Sequence, residues 1–462
     1  MPSDLSRRAF LKRASALSLS GAATPFIMNL AAMGEAAAAT ATDYRALVCV
    51  FLYGGNDYAN TLVPYDNTQY AIYQAQRPGL AYAQSALTAT ALTPSVPLPN
   101  GAQYALAPEL AKLLPLFNAG HLAVLLNAGT LVRPTTKADY QAHVSLPPKL
   151  LSHNDQQSYW QASSPEGAAS GWGGRIGDLL QSGNGTATLT CINVTGNAAF
   201  LTGQAAVQYS VTPAGPIALN ARTSLQGSTA AASLLQSLIS GGGTHEFEAA
   251  LGSIGSRALD LYSQVSAALG QAPVTTTVFP TAADPQSSLG AQLQLVAKLI
   301  SVSSQLGAKR QVFFVSTGRY DTHAGLVTLH PTLLTNLADA LRAFYDTTVE
   351  LGVASQVTTF TGSDFGRALT ANNDGTDHGW GSMHFVLGGA VRGGRYYGIN
   401  PTLANGGPDD IGQGRLIPTL SVDQYAATLA SWFGVSNSDL ATVVPNIGNY
   451  AGSALGTNVG FV

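Results

Sequence analysis

Residues 356–398 read QVTTFTGSDFGRALTANNDGTDHGWGSMHFVLGGAVRGGRYYG, the densest concentration of potential chemistry in this 462-residue chain. The β-branched run Val357-Thr358-Thr359-Phe360 predicts a buried strand. It stops at Thr361-Gly362-Ser363 and delivers Asp364 just past its end. A polar, Gly-rich loop follows with Asp374, Asp377, His378 and Trp380, and His384 opens a second apolar run to Leu387. Carboxylates and imidazoles on a loop between two strands sit where an α/β protein places a site.

Upstream, the run 311–315 predicts a strand that ends in Ser316-Thr317-Gly318-Arg319-Tyr320-Asp321-Thr322-His323. A helix is expected from Pro331, suited to the first helical position, to about Leu351, with Gly352 closing it. Strand, helix, strand is a βαβ unit, which implies a parallel sheet with right-handed connections. The unbroken apolar run 46–52 reads as a central strand covered on both faces, and it ends in Tyr53-Gly54-Gly55-Asn56-Asp57. Further strands are expected at 122–126 and 187–194. Helices are expected at 106–117, bent or ended by Pro115, at 289–306 and at 422–433. Between 196 and 288 the strand–helix rhythm lapses, and helices near 230–239 and 247–269 read as an insertion or cap. The expected fold class is therefore α/β, a mostly parallel sheet with helices on both faces and a helical insertion, in one domain spanning 42–462.

Only 10% of residues are charged and 46% are hydrophobic, a balance that suits an exported protein with a large core. A net charge of −3 offers no electrostatic case for nucleic acid or an anionic membrane. Cys49 and Cys191 lie in β-like apolar runs and read as buried thiols, with a single disulfide left open. Ser6-Arg7-Arg8-Ala9-Phe10-Leu11-Lys12 is similar to the twin-arginine export signal, followed by a mildly apolar stretch and small residues at 36–39. Cleavage after Ala39 or Ala41 assigns residues 1–41 to a signal peptide. The expected location is periplasmic or secreted, with the twin-arginine translocase as a partner during export. No other run is long and apolar enough for a permanent membrane anchor.

Three predicted strands end in aspartate: Asp57, Asp321 and Asp364. In a parallel sheet these ends share one edge. Of eight histidines, His323, His330, His378 and His384 fall in the same part of the chain. Carboxylates plus imidazoles suit zinc or manganese, with ligand bonds of about 2.0–2.2 Å. Two ions roughly 3.5–4 Å apart would clamp a phosphoryl or sulfuryl group. Blander readings stand beside these: a turn or cap for Asp57, a turn for Asp364, a helix cap for His330, a core imidazole for His384. Ser152, in the helix-start pattern Ser152-His153-Asn154-Asp155, is the first candidate nucleophile and Thr61 the second. Arg367 either contacts the anion or makes a structural pair.

The twin-arginine leader, Leu52-Tyr53-Gly54-Gly55-Asn56-Asp57, Tyr320-Asp321-Thr322-His323, Ser363-Asp364-Phe365-Gly366-Arg367 and Thr376-Asp377-His378-Gly379-Trp380-Gly381 together resemble the domain of unknown function 1501 family. That family looks like a branch of the alkaline phosphatase and sulfatase superfamily. The resemblance implies a divalent metal, zinc, manganese or calcium, as one or two ions at the strand ends. It implies that Asp57 with Asp377 and His378 serves one ion, and that Asp321, His323 and His384 serve another. Two departures are visible: the aspartate–histidine spacing is Asp321-x-His323 with His330 farther along, and Phe365 stands where sulfatases carry a histidine. The activity implied is hydrolysis of a small anionic phosphate or sulfate ester. The alternative is a non-catalytic exported binding or secretion-associated protein that keeps the fold.

Overall fold

The computed structural model describes residues 43–196, 198–219, 223–241, 245–281 and 288–462; the leader and its cleavage site lie outside the described residues. The apolar run after Arg45 has no side chain that needs water, and it forms the buried centre of the sheet as β1 (Arg45–Leu52). The other strands are β2 (Leu62–Pro64), β3 (Tyr104–Leu106), β4 (Leu122–Gly129), β5 (Cys191–Asn193), β6 (Tyr209–Thr212), β7 (Gly215–Pro216), β8 (Arg310–Thr317), β9 (Val357–Ser363), β10 (Arg367–Ala371), β11 (Thr376–His378), β12 (Ser382–Gly388), β13 (Tyr396–Tyr397) and β14 (Leu420–Ser421). The main sheet runs β13-β4-β12-β9-β1-β8-β5-β6-β7, with β14 also on β4. β2 pairs with β3, and β10 with β11, as separate small sheets.

Successive side chains of β1 alternate between two apolar layers, as the strand period requires. Ala46, Val48, Val50 and Leu52 face the helices Leu289–Ser301 and Leu326–Glu350. Leu47, Cys49 and Phe51 face His153–Ala162, Trp172–Leu180 and Val422–Phe433. The architecture is an α/β sheet with helices on both faces. β1, β5, β6, β8 and β9 are parallel, whereas β12 is antiparallel to both β9 and β4. No helical crossover separates β9 from β12; the chain returns through the β10–β11 ribbon, and that short return permits only an antiparallel pairing.

Several local expectations change. Segment 106–117 is not one helix: Pro108 opens a 3₁₀ stretch to Leu113, and Pro115 sits at the start of the α-turn Leu114–Asn118. Of 187–194 only β5 is extended. The helix expected from Pro331 begins at Leu326 and carries Pro331 inside it. Helices Thr229–Ser240 and Glu246–Leu269 occupy the stretch without rhythm. Cys49 and Cys191 are buried and free.

Asp423, in the first turn of Val422–Phe433, is fully buried and accepts from Asn446 N at 3.2 Å. Burial pushes its carboxyl up to about 6, against smaller opposing help from Asn446, Ser163 and Arg175. An unfolded aspartate titrates near about 3.9, so the unfolded chain releases this proton first as pH rises. The stabilising contribution of the protonated form is thus present below about pH 4 and lost by about pH 6. Asp423→Asn should match the parent at pH 4 and exceed its stability at pH 8 by about 1–3 kcal/mol, read from urea midpoints.

Candidate functional site

The three central strands end side by side, with Leu52 of β1 paired to Thr317 of β8 and to Ser363 of β9. Because they are parallel, the segments that leave them begin at one edge. The β1 exit turns through Gly54 and Gly55, at φ +113° and +78°, where glycine is favoured. A Cβ on Gly54 would lie 2.4 Å from the Asp321 backbone nitrogen, and one on Gly55 2.3 Å from the Phe365 ring. The absence of side chains at these two positions lets the three exits touch. The helix His153–Ala162 adds its first residue to the same place.

Three imidazoles converge there on Asp321. His153 Nε2 is 3.4 Å from Oδ2, while His323 Nε2 and His378 Nε2 are 3.2 and 3.3 Å from Oδ1. His323 Nε2 and His378 Nε2 are 2.8 Å apart. One donor atom each from His153, Asp321 and His378 lies within 4.8 Å of the others, and His323 extends this group through its contacts with Asp321 and His378.

Each ring is held from behind through its other nitrogen. His153 Nδ1 is 2.6 Å from Asp364 Oδ2, His378 Nδ1 is 2.8 Å from the Leu151 carbonyl, and His323 Nδ1 is 3.4 Å from Asp377 Oδ1. Carbonyls and carboxylates only accept, so Nδ1 carries the proton in each neutral ring and Nε2 points a lone pair inward. These acceptors are themselves fixed. Asp364 Oδ2 also accepts from Gly54 N at 3.1 Å and Gln157 Nε2 at 2.8 Å. Asp377 Oδ1 accepts from Asn372 Nδ2 at 2.7 Å. Arg415 Nε donates to the His378 carbonyl at 2.6 Å.

Asp321 is anchored by the buried Arg367. Nη1 of that guanidinium donates to Asp321 Oδ1 at 2.8 Å and to the Gly54 carbonyl at 3.0 Å; Nε and Nη2 donate to the Thr376 carbonyl. Partial burial lifts the Asp321 carboxyl, but the hydrogen bond and charge of Arg367 outweigh it and leave it below the usual range. The hydrogen bond to Asp364 pushes His153 up, and burial pulls His378 down. A neutral His378 and an ionised Asp321 therefore coexist. With both Nδ1 atoms turned to acceptors, the two Nε2 atoms 2.8 Å apart face each other, an arrangement that a shared proton or a cation relieves. One carboxylate and three imidazoles at this spacing could hold either.

Of the residues expected from the sequence, Asp321, His323 and His378 meet here, and Asp364 and Asp377 stand directly behind them. His153 belongs with them and was not anticipated. Its segment reads as a helix start, and that signature accounts for Ser152 and Asp155 while leaving the imidazole between them unremarked. The metal-ligand roles expected for Asp57, His330 and His384, and the catalytic roles expected for Thr61 and Arg367, need correction. Asp57 is buried with both oxygens engaged: Oδ1 accepts from Arg77 Nη1 at 2.7 Å and Asn60 N at 2.9 Å, and Oδ2 from Thr376 Oγ1 at 2.8 Å. His330 is buried under the edge, its Nε2 3.0 Å from Asn56 Oδ1, and burial pulls its pKa to about 4. His384 is buried in β12 with Nδ1 3.3 Å from Thr361 Oγ1, edge-on to Trp160, and burial lowers it to about 3. Thr61 is buried and donates to the Asp57 carbonyl at 2.7 Å. Arg367 has no solvent-facing donor to offer an anion. Ser152 lies beside His153 and donates to Asp155 Oδ2 at 2.9 Å.

Fold and site together define an α/β protein with an imidazole–carboxylate cluster at the carboxyl edge of its sheet. The chain belongs to the family described as "Protein of unknown function (DUF1501)", whose model matches residues 44–443. No curated protein matches the chain. Among solved structures it is similar to a sulfatase from Pseudoalteromonas sp., at 10% identity and TM-score 0.37, over 90% of this chain and 73% of that one. It is also similar to a lipoteichoic acid synthase from Listeria monocytogenes, at 9% identity and TM-score 0.31, over 89% of this chain and 80% of the other.

The buried Asp57–Arg77 pair gives a test of its own. Asp57→Asn leaves Arg77 buried without its counter-charge, which should cost about 3–5 kcal/mol. The urea midpoint should fall accordingly, while the folded fraction keeps whatever cation affinity the parent shows. Loss of cation binding in folded Asp57→Asn protein would return Asp57 to the ligand set.

Proposed function

We propose that this chain is an exported, metal-dependent hydrolase of phosphate or sulfate esters, with His153, Asp321, His323 and His378 holding the metal. The observation that carries the reading is the convergence of three Nε2 atoms on one carboxylate at the edge where open α/β sheets bind ligands. The twin-arginine pattern at residues 6–12 supports export. No helix among the described residues is long and apolar enough to cross a membrane.

A divalent cation, when bound, supplies Lewis-acid polarisation of a phosphoryl or sulfuryl oxygen. The chain's own residues do the rest. Arg367 keeps Asp321 ionised and aimed, and Asp364, Asp377 and the Leu151 carbonyl set the three tautomers. Ser152 stands at the amino end of a ten-residue helix, where backbone N–H groups favour an anion. Its hydroxyl donates to Asp155, the acceptor placed to take that proton as Oγ attacks phosphorus or sulfur. The Oγ ester forms as the bond to the substrate's alkoxy oxygen breaks, and the alkoxide takes a proton from solvent water and leaves as the alcohol. Water then cleaves the ester, releasing phosphate or sulfate, and Asp155 returns its proton to Ser152 Oγ.

A screen of aryl phosphates, phosphodiesters and aryl sulfates should find turnover in at least one class. A chelator should remove that turnover, added metal should restore it, and Asp321→Asn should abolish it. Ser152→Ala should lower kcat far more than KM. A folded, metal-loaded protein that turns over none of the three classes would leave the exported binding protein as the function.

A further inference from the structure

The sequence resemblance points to one or two ions and leaves oxygen-loving calcium among them; the geometry is narrower. We propose that the site takes a single nitrogen-preferring divalent cation, zinc first, through the Nε2 atoms of His153, His323 and His378 and the carboxylate of Asp321. On this assignment the site excludes calcium, magnesium and a second ion. The inference rests on reading the cluster as a cation centre, though not on turnover.

The spacing is the first support. Donors bonded to one cation at about 2.0–2.2 Å stand about 3.0–3.5 Å apart in tetrahedral or octahedral arrangements. His323 Nε2 stands 2.8 Å from His378 Nε2 and both stand 3.2–3.3 Å from Asp321 Oδ1, while His153 Nε2 is 3.4 Å from Asp321 Oδ2 and His153 offers a donor within 4.8 Å of one on His378. His153 Nε2 is moreover a buried nitrogen with no hydrogen-bond partner. Such an atom is expected to be satisfied by something, and it faces Asp321.

Donor chemistry is the second. Three imidazoles and one carboxylate suit zinc and its neighbours, whereas calcium asks for six to eight oxygens and magnesium for an octahedron of them. The outer contacts match this choice. A metal-bound imidazole characteristically donates its far N–H to a carboxylate or carbonyl. Asp364, Asp377 and the Leu151 carbonyl occupy those three positions.

The third support is what surrounds the cluster. The buried Phe365 ring packs against His153 and His378 at centroid distances of 4.8 and 4.7 Å, closing that side with carbon. The Arg367 guanidinium lies behind Asp321 and repels a further cation. Asp57, the carboxylate that would serve a second ion, is saturated by Arg77, Asn60 and Thr376. Asp364 Oδ1 is buried without a hydrogen-bond partner, and one oxygen is too few to hold a second ion.

The test is metal titration of the purified, chelator-stripped chain without substrate. Zinc should bind at one equivalent, cobalt should replace it with a visible spectrum of nitrogen and oxygen donors in four-coordination that expands to five when inorganic phosphate is added, and a large excess of calcium or magnesium should displace neither. Asp364→Asn and Asp377→Asn should keep one equivalent and weaken it by about 10–100-fold. His153→Gln should change the cobalt spectrum; should that variant not fold, the more exposed His323→Gln reads the same change. Two equivalents that depend on His153, displacement by calcium, or a cobalt spectrum indifferent to both histidine substitutions would overturn the assignment. One bound zinc on a protein that turns over no ester leaves the assignment standing and defeats the hydrolase reading. Ester turnover restored by calcium or magnesium and not by zinc keeps the hydrolase reading and overturns the assignment.

Discussion

A single buried guanidinium joins the three strand exits on which the site is built. Arg367 donates to the Gly54 carbonyl after β1, to the Asp321 carboxylate after β8 and to the Thr376 carbonyl at the start of β11. Gly54 N already ties the β1 exit to Asp364, and Tyr320 N ties the β8 exit to the Tyr53 carbonyl; the fork adds the Asp321 carboxylate, pinned at the point where His323 and His378 approach. A fork of fixed planar donors can satisfy three acceptors on three segments at once, which a lysine ammonium cannot do with the same directionality. Of the two roles expected for Arg367, anion contact and a structural pair, the structure shows the second.

The same network explains why Asp57 carries so regular a motif without joining the imidazoles. Arg77 pairs with Asp57, Asp57 accepts from Thr376 Oγ1, and Thr376 accepts from Arg367, which holds Asp321. Asp57 thus stands behind Asp321 as part of a buried chain of alternating charges. Partial burial disfavours the ionised form of Asp321, and the hydrogen bond and charge of Arg367 beneath it outweigh that cost. The Asp321 carboxylate thus has the Arg367 guanidinium behind it and the His378 imidazole, which burial keeps neutral, beside it.

Much of this was legible in the sequence. Parallel strand ends are predictable from apolar runs that stop at Gly-rich turns, so the edge holding Asp321 and Asp364 followed from pattern alone. His323 and His378 followed from their nearness to those ends. His153 did not, because it comes from a helix more than a hundred residues upstream and only tertiary packing brings it to Asp321. Asp57 misled for the converse reason: its place at a strand end was right, but its partner Arg77 lies twenty positions on, at the end of the helix Asn67–Gln76, where no pattern in the sequence marks the contact. The antiparallel β12 was also hidden, since an apolar run carries no mark of direction.

The measurement closest to the central claim is anomalous diffraction at the zinc edge from crystals of the zinc-loaded protein. One peak should appear about 2.0–2.2 Å from the Nε2 atoms of His153, His323 and His378 and from an Asp321 oxygen. A peak bonded to Asp57 or His384, a pair of peaks at the strand ends, or imidazoles still in contact with no density between them would contradict it.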